Sequence, residues 1–141
     1  MALSREERES FLSEPRVAAL GVAAGPGRGP LLVPVWYGYE PGGEPWLITG
    51  ADSRKTALLK AAGRFSLLVE DTVPSVRYVS VEGPVAAIVP ADEDCHRRIA
   101  SRYLAGDVLE RYVARAEAEL GEQVLVRMSP EHWLGADLGT I

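Results

Sequence analysis

Apolar positions along the chain change period several times, and each change marks an element. Ser4-x-x-Glu7 is a capping box, so a short helix is expected from Ser4 to just before Pro15. Arg16–Ala23 is a small-residue apolar run that reads as a buried strand, and Gly25-Pro-Gly-Arg-Gly-Pro30 reads as a turn. Leu31–Glu40 alternates as a second strand, with Leu31, Val33, Val35, Tyr37 and Tyr39 on one face and Leu32, Pro34, Trp36 and Gly38 on the other. Pro34 cannot donate to a ladder, so its strand is expected to be an edge, a bulge or an opening to a ligand. After the Pro41–Pro45 turn, Trp46–Thr49 returns as a third strand, and Ser53–Ala62 follows as a helix closed by Gly63. Phe65–Glu70 and Val76–Glu82 read as strands, and Gly83-Pro84 is expected to bend the chain into a separate strand, Val85–Val89. Asp92 caps a helix with Cys95, Ile99 and Tyr103 on one face. Asp107 caps the next, with Leu109, Tyr112, Val113, Ala116 and Leu120 inward and Gly121 as the stop. Val124–Met128 is the last expected strand, and Ser129–Ile141 is a tail that carries Trp133.

This order predicts an α+β fold: six or seven mostly antiparallel strands closing into a small barrel, with helices on its rim. A doubly wound parallel sheet would need a helix after nearly every strand. The 141 residues suit one domain spanning 1–141, long enough to build a core without staples. Apolar residues are 47% and charged residues 25%, which sets aside disordered, collagenous and disulfide-scaffold chains. No apolar run approaches the ~20 residues of a membrane span, and the charged start is unlike a signal peptide. Cys95 stands alone, so nothing asks for an oxidising compartment, and a cytoplasmic location is expected. The net charge of −5 argues against a nucleic-acid partner, whose phosphates call for a basic face.

Several chemistries fail on spacing. Gly25-Pro-Gly-Arg-Gly29 joins two strands and lacks the dinucleotide fingerprint, and Arg54 stands where a P-loop needs glycine. Cys95, His96 and His132 lack metal-ligand spacing, and no catalytic serine elbow or zinc-protease run occurs, so no metal is expected. The cations are uneven, with thirteen arginines against two lysines, Lys55 and Lys60. Two readings stand: codon bias in a GC-rich genome, or lysine kept where a compact ammonium matters.

The segment that stands apart is Thr49-Gly-Ala-Asp-Ser53-Arg54-Lys55, where a strand end is followed by a helix start. The first turn of a helix has free N–H groups and partial positive charge. Arginine and lysine there oppose the helix, whereas an anion there is stabilised. From the residues alone two readings stand: a phosphate anchor or a solvated pair.

The same segment resembles the flavin-phosphate motif of the pyridoxamine 5′-phosphate oxidase-like split β-barrel superfamily, in which Ser-Arg-Lys opens the helix after a strand ending in threonine. Phe65–Val69 and Arg77-Tyr-Val-Ser-Val-Glu-Gly83 resemble the next family strands, and Arg16–Thr49 resembles its first hairpins. The resemblance spans Phe11 to about Val89. It implies that Thr49, Ser53, Arg54 and Lys55 hold a cofactor phosphate. Tyr78 stands where the family often has a cofactor-binding glutamine, and Leu32 where the vitamin B6 oxidase has a flavin-contacting arginine. Tyr37 falls near that oxidase's substrate-contacting lysine, and its C-terminal Arg-Leu-x-Pro signature is absent, which argues against vitamin B6 oxidation. Pro34-Val35-Trp36-Tyr37 resembles the short actinobacterial-type branch, many of whose members use the deazaflavin coenzyme F-420 and some haem or bilins.

The expectation is therefore a homodimeric oxidoreductase. Coenzyme F-420 is favoured over flavin mononucleotide (FMN), and hydride passes between cofactor and a hydrophobic conjugated substrate. Val33, Pro34, Val35 and Trp36 form the ring wall, and Thr49, Ser53, Arg54 and Lys55 the phosphate site. Lys60 and Tyr78 are further cofactor contacts, and Tyr37 and Trp133 are substrate contacts. The chemistry belongs to the cofactor, so no catalytic side chain is assigned. The alternatives are a non-catalytic carrier of haem, flavin or deazaflavin, and a purely structural dimer in which the Ser-Arg-Lys start is accidental.

Overall fold

The computed structural model describes residues 1–140; Ile141, the end of the expected tail, lies outside the described residues. The elements are α1 (Arg5–Ser13), β1 (Ala18–Val22), β2 (Leu31–Val35), β3 (Trp46–Gly50), α2 (Arg54–Ala62), β4 (Arg64–Asp71), β5 (Arg77–Pro90), α3 (Glu93–Ala100), α4 (Gly106–Glu119), β6 (Gln123–Met128) and β7 (His132–Asp137). Every ladder is antiparallel. The strand order is β2-β1-β4-β5-β6-β3, with β7 also on β5. The sheet curls into a half-barrel with four helices around it, the α+β architecture expected.

Alternation explains the walls. In β4, Phe65, Leu67 and Val69 face inward while Ser66, Leu68 and Glu70 face out. The interior holds Leu20, Leu47, Leu59, Leu67, Val81, Val126 and Met128, and α1 adds Phe11 and Leu12. Ser4 caps α1 as expected: its Oγ accepts the Glu7 N–H at 3.2 Å, and Glu7 Oε1 accepts the Ser4 N–H at 2.9 Å.

Four local expectations are corrected. The strand expected to run Leu31–Glu40 stops at Val35 because the next two aromatics are claimed elsewhere. Trp36 stacks on Tyr103 with ring centroids 4.6 Å apart, and Tyr37 enters the core, where its hydroxyl donates to the Leu12 carbonyl at 2.6 Å. Gly83-Pro84 does not divide two strands. β5 runs unbroken for 14 residues, pairing β4 and β7 with its first part and β6 with its last, and a register shift between Val85 and Ala87 supplies the bend. The tail contains β7, whose residues 132–137 pair with 77–82 of β5. Around α3 and α4 the helix faces shift. His96, Ile99 and Ala100 are buried, Cys95 is half-buried, and Tyr103 lies beyond the end of α3. Ala105 occupies the cap position of α4 without a side-chain bond, so Asp107 sits in its first turn, and Leu120 is exposed.

Burial raises two phenols, with a consequence at high pH. Desolvation pushes Tyr37 well above its ordinary value, and pushes Tyr39 up to about 12. The unfolded chain loses these protons near pH 10, while the native state keeps them. The unfolded state then binds fewer protons, so stability falls as pH rises above about 10. Denaturant midpoints at pH 9 and 11 should show that fall, and Tyr37→Phe should reduce it.

Candidate cofactor-phosphate site

β3 is one edge of the sheet, and it delivers the chain to the start of α2. Ser53 is the N-cap, and its Oγ accepts the Thr56 N–H at 3.2 Å. Three hydroxyls are linked in a row: Thr49 Oγ1 lies 3.1 Å from Ser53 Oγ, which lies 3.0 Å from Thr56 Oγ1, and Thr56 donates to the Gly50 carbonyl at 2.7 Å. Because Thr56 has committed its proton, Ser53 is free to donate to it and Thr49 to Ser53. Sequence reasoning missed Thr56; the signal was its place three residues after the cap.

Arg54 is exposed and Lys55 half-buried in the first turn of α2, which holds no acidic residue. Among the described residues neither pairs with a carboxylate, although Arg5, Arg16, Arg64, Arg97, Arg115 and Arg127 all do. Two unpaired cations therefore sit beside the free N–H groups of a helix start, where each raises the local positive potential. A phosphate ester matches this donor set, the first-turn backbone N–H groups and two cations, while the hydroxyl row holds the helix start in shape. Lys60 is exposed on the last turn, about 7.5 Å along the axis and about 140° around the helix from Lys55, so the two lysines do not share a face.

The expected ring wall divides. Val33 and Val35 pack toward the core, while Leu32 and Pro34 point outward. β2 is the other edge of the sheet, and among the described residues no ladder joins it to β3; past the end of β2, Gly38 forms an isolated bridge with Trp46 of β3. Pro34 lies opposite Ala19, and since it lacks an N–H this is a non-hydrogen-bonded pair. By the alternation of antiparallel pairs, Leu32 shares that state, so the Leu32 N–H and the carbonyls of Leu32 and Pro34 face the open edge. Trp36 lies between Tyr103 and Tyr112, 4.6 and 5.3 Å away, and is occupied by the helices.

The remaining expected contacts do not join this corner. Tyr37 is fully buried, with its hydroxyl also 3.2 Å from the Glu14 carbonyl and its N–H on the Tyr103 hydroxyl, which leaves no surface for a substrate. Trp133 lies on the inner side of β7 against Tyr39 and Arg8. Tyr78 is half-exposed on the outer face, between Glu70 and Ala136.

That outer face is unexpectedly apolar. One row crosses five strands as Pro34, Ala19, Leu68, Ser80 and Leu134. Leu32, Val17, Leu68 and Leu134 are 68, 56, 41 and 60% exposed. A cavity of about 350 Å³ lies against Val17, Leu32, Pro34 and Leu68, and one of about 680 Å³ continues past Leu32 to Ala62 and Phe65. The signal was present in β4, whose outward position 68 is leucine. Among the described residues no cluster of three metal-binding side chains forms, and no helix is long and apolar enough to cross a membrane.

Solved structures of the same architecture are known. A conserved hypothetical protein of Mycobacterium tuberculosis is 29% identical, with a TM-score of 0.72 over 96% of this chain and 85% of that one. A structure named as an F-420 reductase is 22% identical, with a TM-score of 0.72 over 89% of this chain and 94% of its own. A FAD-binding protein of Mesorhizobium loti is 21% identical, with a TM-score of 0.64 over 99 and 98%. At these last two identities the likeness is one of fold. A search of curated proteins found no match. The family profile described as pyridoxamine 5′-phosphate oxidase matches residues 4–136. With that match over nearly the whole chain, and with the half-barrel and its Ser-Arg-Lys helix start in place, this chain belongs to the pyridoxamine 5′-phosphate oxidase family.

Proposed function

We propose that the chain is a small oxidoreductase that binds a flavin or deazaflavin by its phosphate at the start of α2. The observation that carries this is the unpaired Arg54–Lys55 pair at a helix start beside the Thr49–Ser53 hydroxyls. When bound, the cofactor's ring supplies hydride transfer to or from a hydrophobic conjugated substrate. Arg54 and Lys55 neutralise the phosphate, and the first-turn N–H groups of α2 orient it. The open β2 edge at Leu32 and Pro34 offers polar backbone to the ring, and its apolar side chains exclude water. Tyr78, on the same outer face, is a candidate ring contact.

Coenzyme F-420 is the preferred cofactor in this reading. Leu32 gives no charge to the polar groups of a flavin, whereas the exposed Lys60 suits an extended acidic tail. Fluorescence quenching in one buffer should therefore give a smaller Kd for coenzyme F-420 than for FMN. Equal or reversed values contradict the preference. Turnover of the reduced, bound cofactor by simple electron acceptors tests the activity itself; tight binding without turnover would make the chain a carrier.

The apolar outer face points to a second copy of the chain. Leaving Val17, Leu32, Leu68 and Leu134 wet is unfavourable, and a twofold partner would cover them together with the β2 edge. Light scattering at micromolar concentration should report about twice the 15.2 kDa chain mass. A particle of one chain mass would refute the dimer.

A further inference from the structure

At the other end of β3, about 13 Å along the strand from Gly50, a third cavity of about 580 Å³ lies between the Tyr39–Glu44 segment, α3 and β6. Its floor is Trp46. The indole passes so close to Gly38 that any Cβ there would collide with the ring. Three guanidinium groups line the cavity: Arg98, Arg102 and Arg127. Arg127 is taken, since its Nε lies 3.3 Å from Glu44, whose other oxygen accepts from Ser129. Neither Arg98 nor Arg102 pairs with a carboxylate among the described residues.

Each of these two arginines is nonetheless pre-ordered by an aromatic ring. The Arg98 guanidinium lies 5.0 Å from the centre of Trp46, and the Arg102 guanidinium 5.1 Å from that of Tyr37. Arg102 is pinned further by its Nη1, which donates to the Ser13 carbonyl at 3.1 Å, while its Nε and Nη2 find no acceptor. The free N–H groups of Arg102 are buried, so it lends the groove its charge, whereas the exposed Arg98 guanidinium is ordered by its ring and keeps its N–H edge for an oxyanion. Among the described residues Glu40 is the one uncommitted acid on the rim, so Arg98 and Arg102 outnumber it.

We propose that this groove is a second anion site, separate from the α2 corner, for a small dianion. It would take a dicarboxylate or a phosphate monoester, bound through the fork of Arg98 and reinforced by the positive potential of Arg102 and Arg127. The inference does not rest on the cofactor reading, because it uses none of the same residues.

The test is an amide and indole NMR titration of the full chain with succinate in one arm and inorganic phosphate in the other. The expected result in at least one arm is saturable shifts at the Trp46 indole and at residues 98–102. Arg98→Ala should weaken that binding at least tenfold without a loss of folding, since Arg98 is exposed. Lys55→Ala should leave it unchanged. Shifts that are linear in both arms, shifts confined to residues 49–56, or an Arg98→Ala affinity equal to wild type would each overturn the proposal.

Discussion

Lys55→Ala is expected to weaken cofactor binding by roughly 10- to 150-fold, the equivalent of about 1.5–3 kcal/mol for a charge-assisted contact. The melting temperature of the cofactor-free protein should stay level or rise slightly. The two halves of this expectation have one origin. A cation in the first turn of α2 opposes the helix dipole and has no carboxylate partner among the described residues, so removing it costs the fold nothing. Alanine is also the better helix former. What is lost is the attraction for a phosphate outside the helix, and part of that loss should be masked at high ionic strength, to the extent that the corner is solvated. Lys60→Ala should matter less, because Lys60 lies on a different face of the helix. Affinity by fluorescence titration and stability by thermal unfolding decide the matter together. If Lys55→Ala melts the apo-protein and leaves affinity intact, the phosphate assignment fails.

The largest stability effect is expected at Gly83. This residue lies just before the bend of β5, opposite Phe65, where the chain carrying Ser129 crosses at closest approach. A Cβ there would meet the Ser129 carbonyl, which is backbone and held in place: the Ser129 N–H donates to the Pro84 carbonyl at 2.9 Å, and the Glu131 N–H to the Glu82 carbonyl at 2.9 Å. The neighbour cannot rotate away as a side chain would. Gly83→Ala must either force β5 and the entry to β7 apart or break those bonds. A cost of about 3 kcal/mol follows for overpacking against fixed backbone. For a chain of this size that lowers the melting temperature by roughly 10 °C. Gly63, where a Cβ would meet nothing, is the control: its φ of 72° makes Gly63→Ala strained but not clashing, and it should cost less.

Elements with strong local signals were legible before the structure. The α1 capping box, the Ser53 cap with Gly63 at the end of α2, and the strict alternation of β4 each come from contacts within a few residues. So did the Thr49–Lys55 corner, because its oddity is local: cations where a helix wants acids. What the sequence does not show is tertiary. Nothing near Trp36 and Tyr37 says that α4 and the end of α1 will take them off the strand, yet Tyr103, Tyr112 and the Leu12 carbonyl do so. β7 carries glycine and no β-branched residue, so its strand character comes from the β5 edge it docks on. His96 and Cys95 are adjacent, and a rotation of about 100° decides which is buried. Pairing across the sheet was also out of reach, and with it the apolar row from Pro34 to Leu134, because four ladders between distant segments assemble it.

The central claim is that the start of α2 holds a cofactor by its phosphate. The most direct measurement compares each phosphate-bearing cofactor with its phosphate-free parent on the same protein: FMN against riboflavin, and coenzyme F-420 against its ring-and-ribityl core. The phosphate-bearing partner of at least one pair should bind tenfold or more tightly, and the gap should close in Lys55→Ala. Equal affinity within both pairs, or a gap that survives Lys55→Ala and Arg54→Ala together, would contradict it.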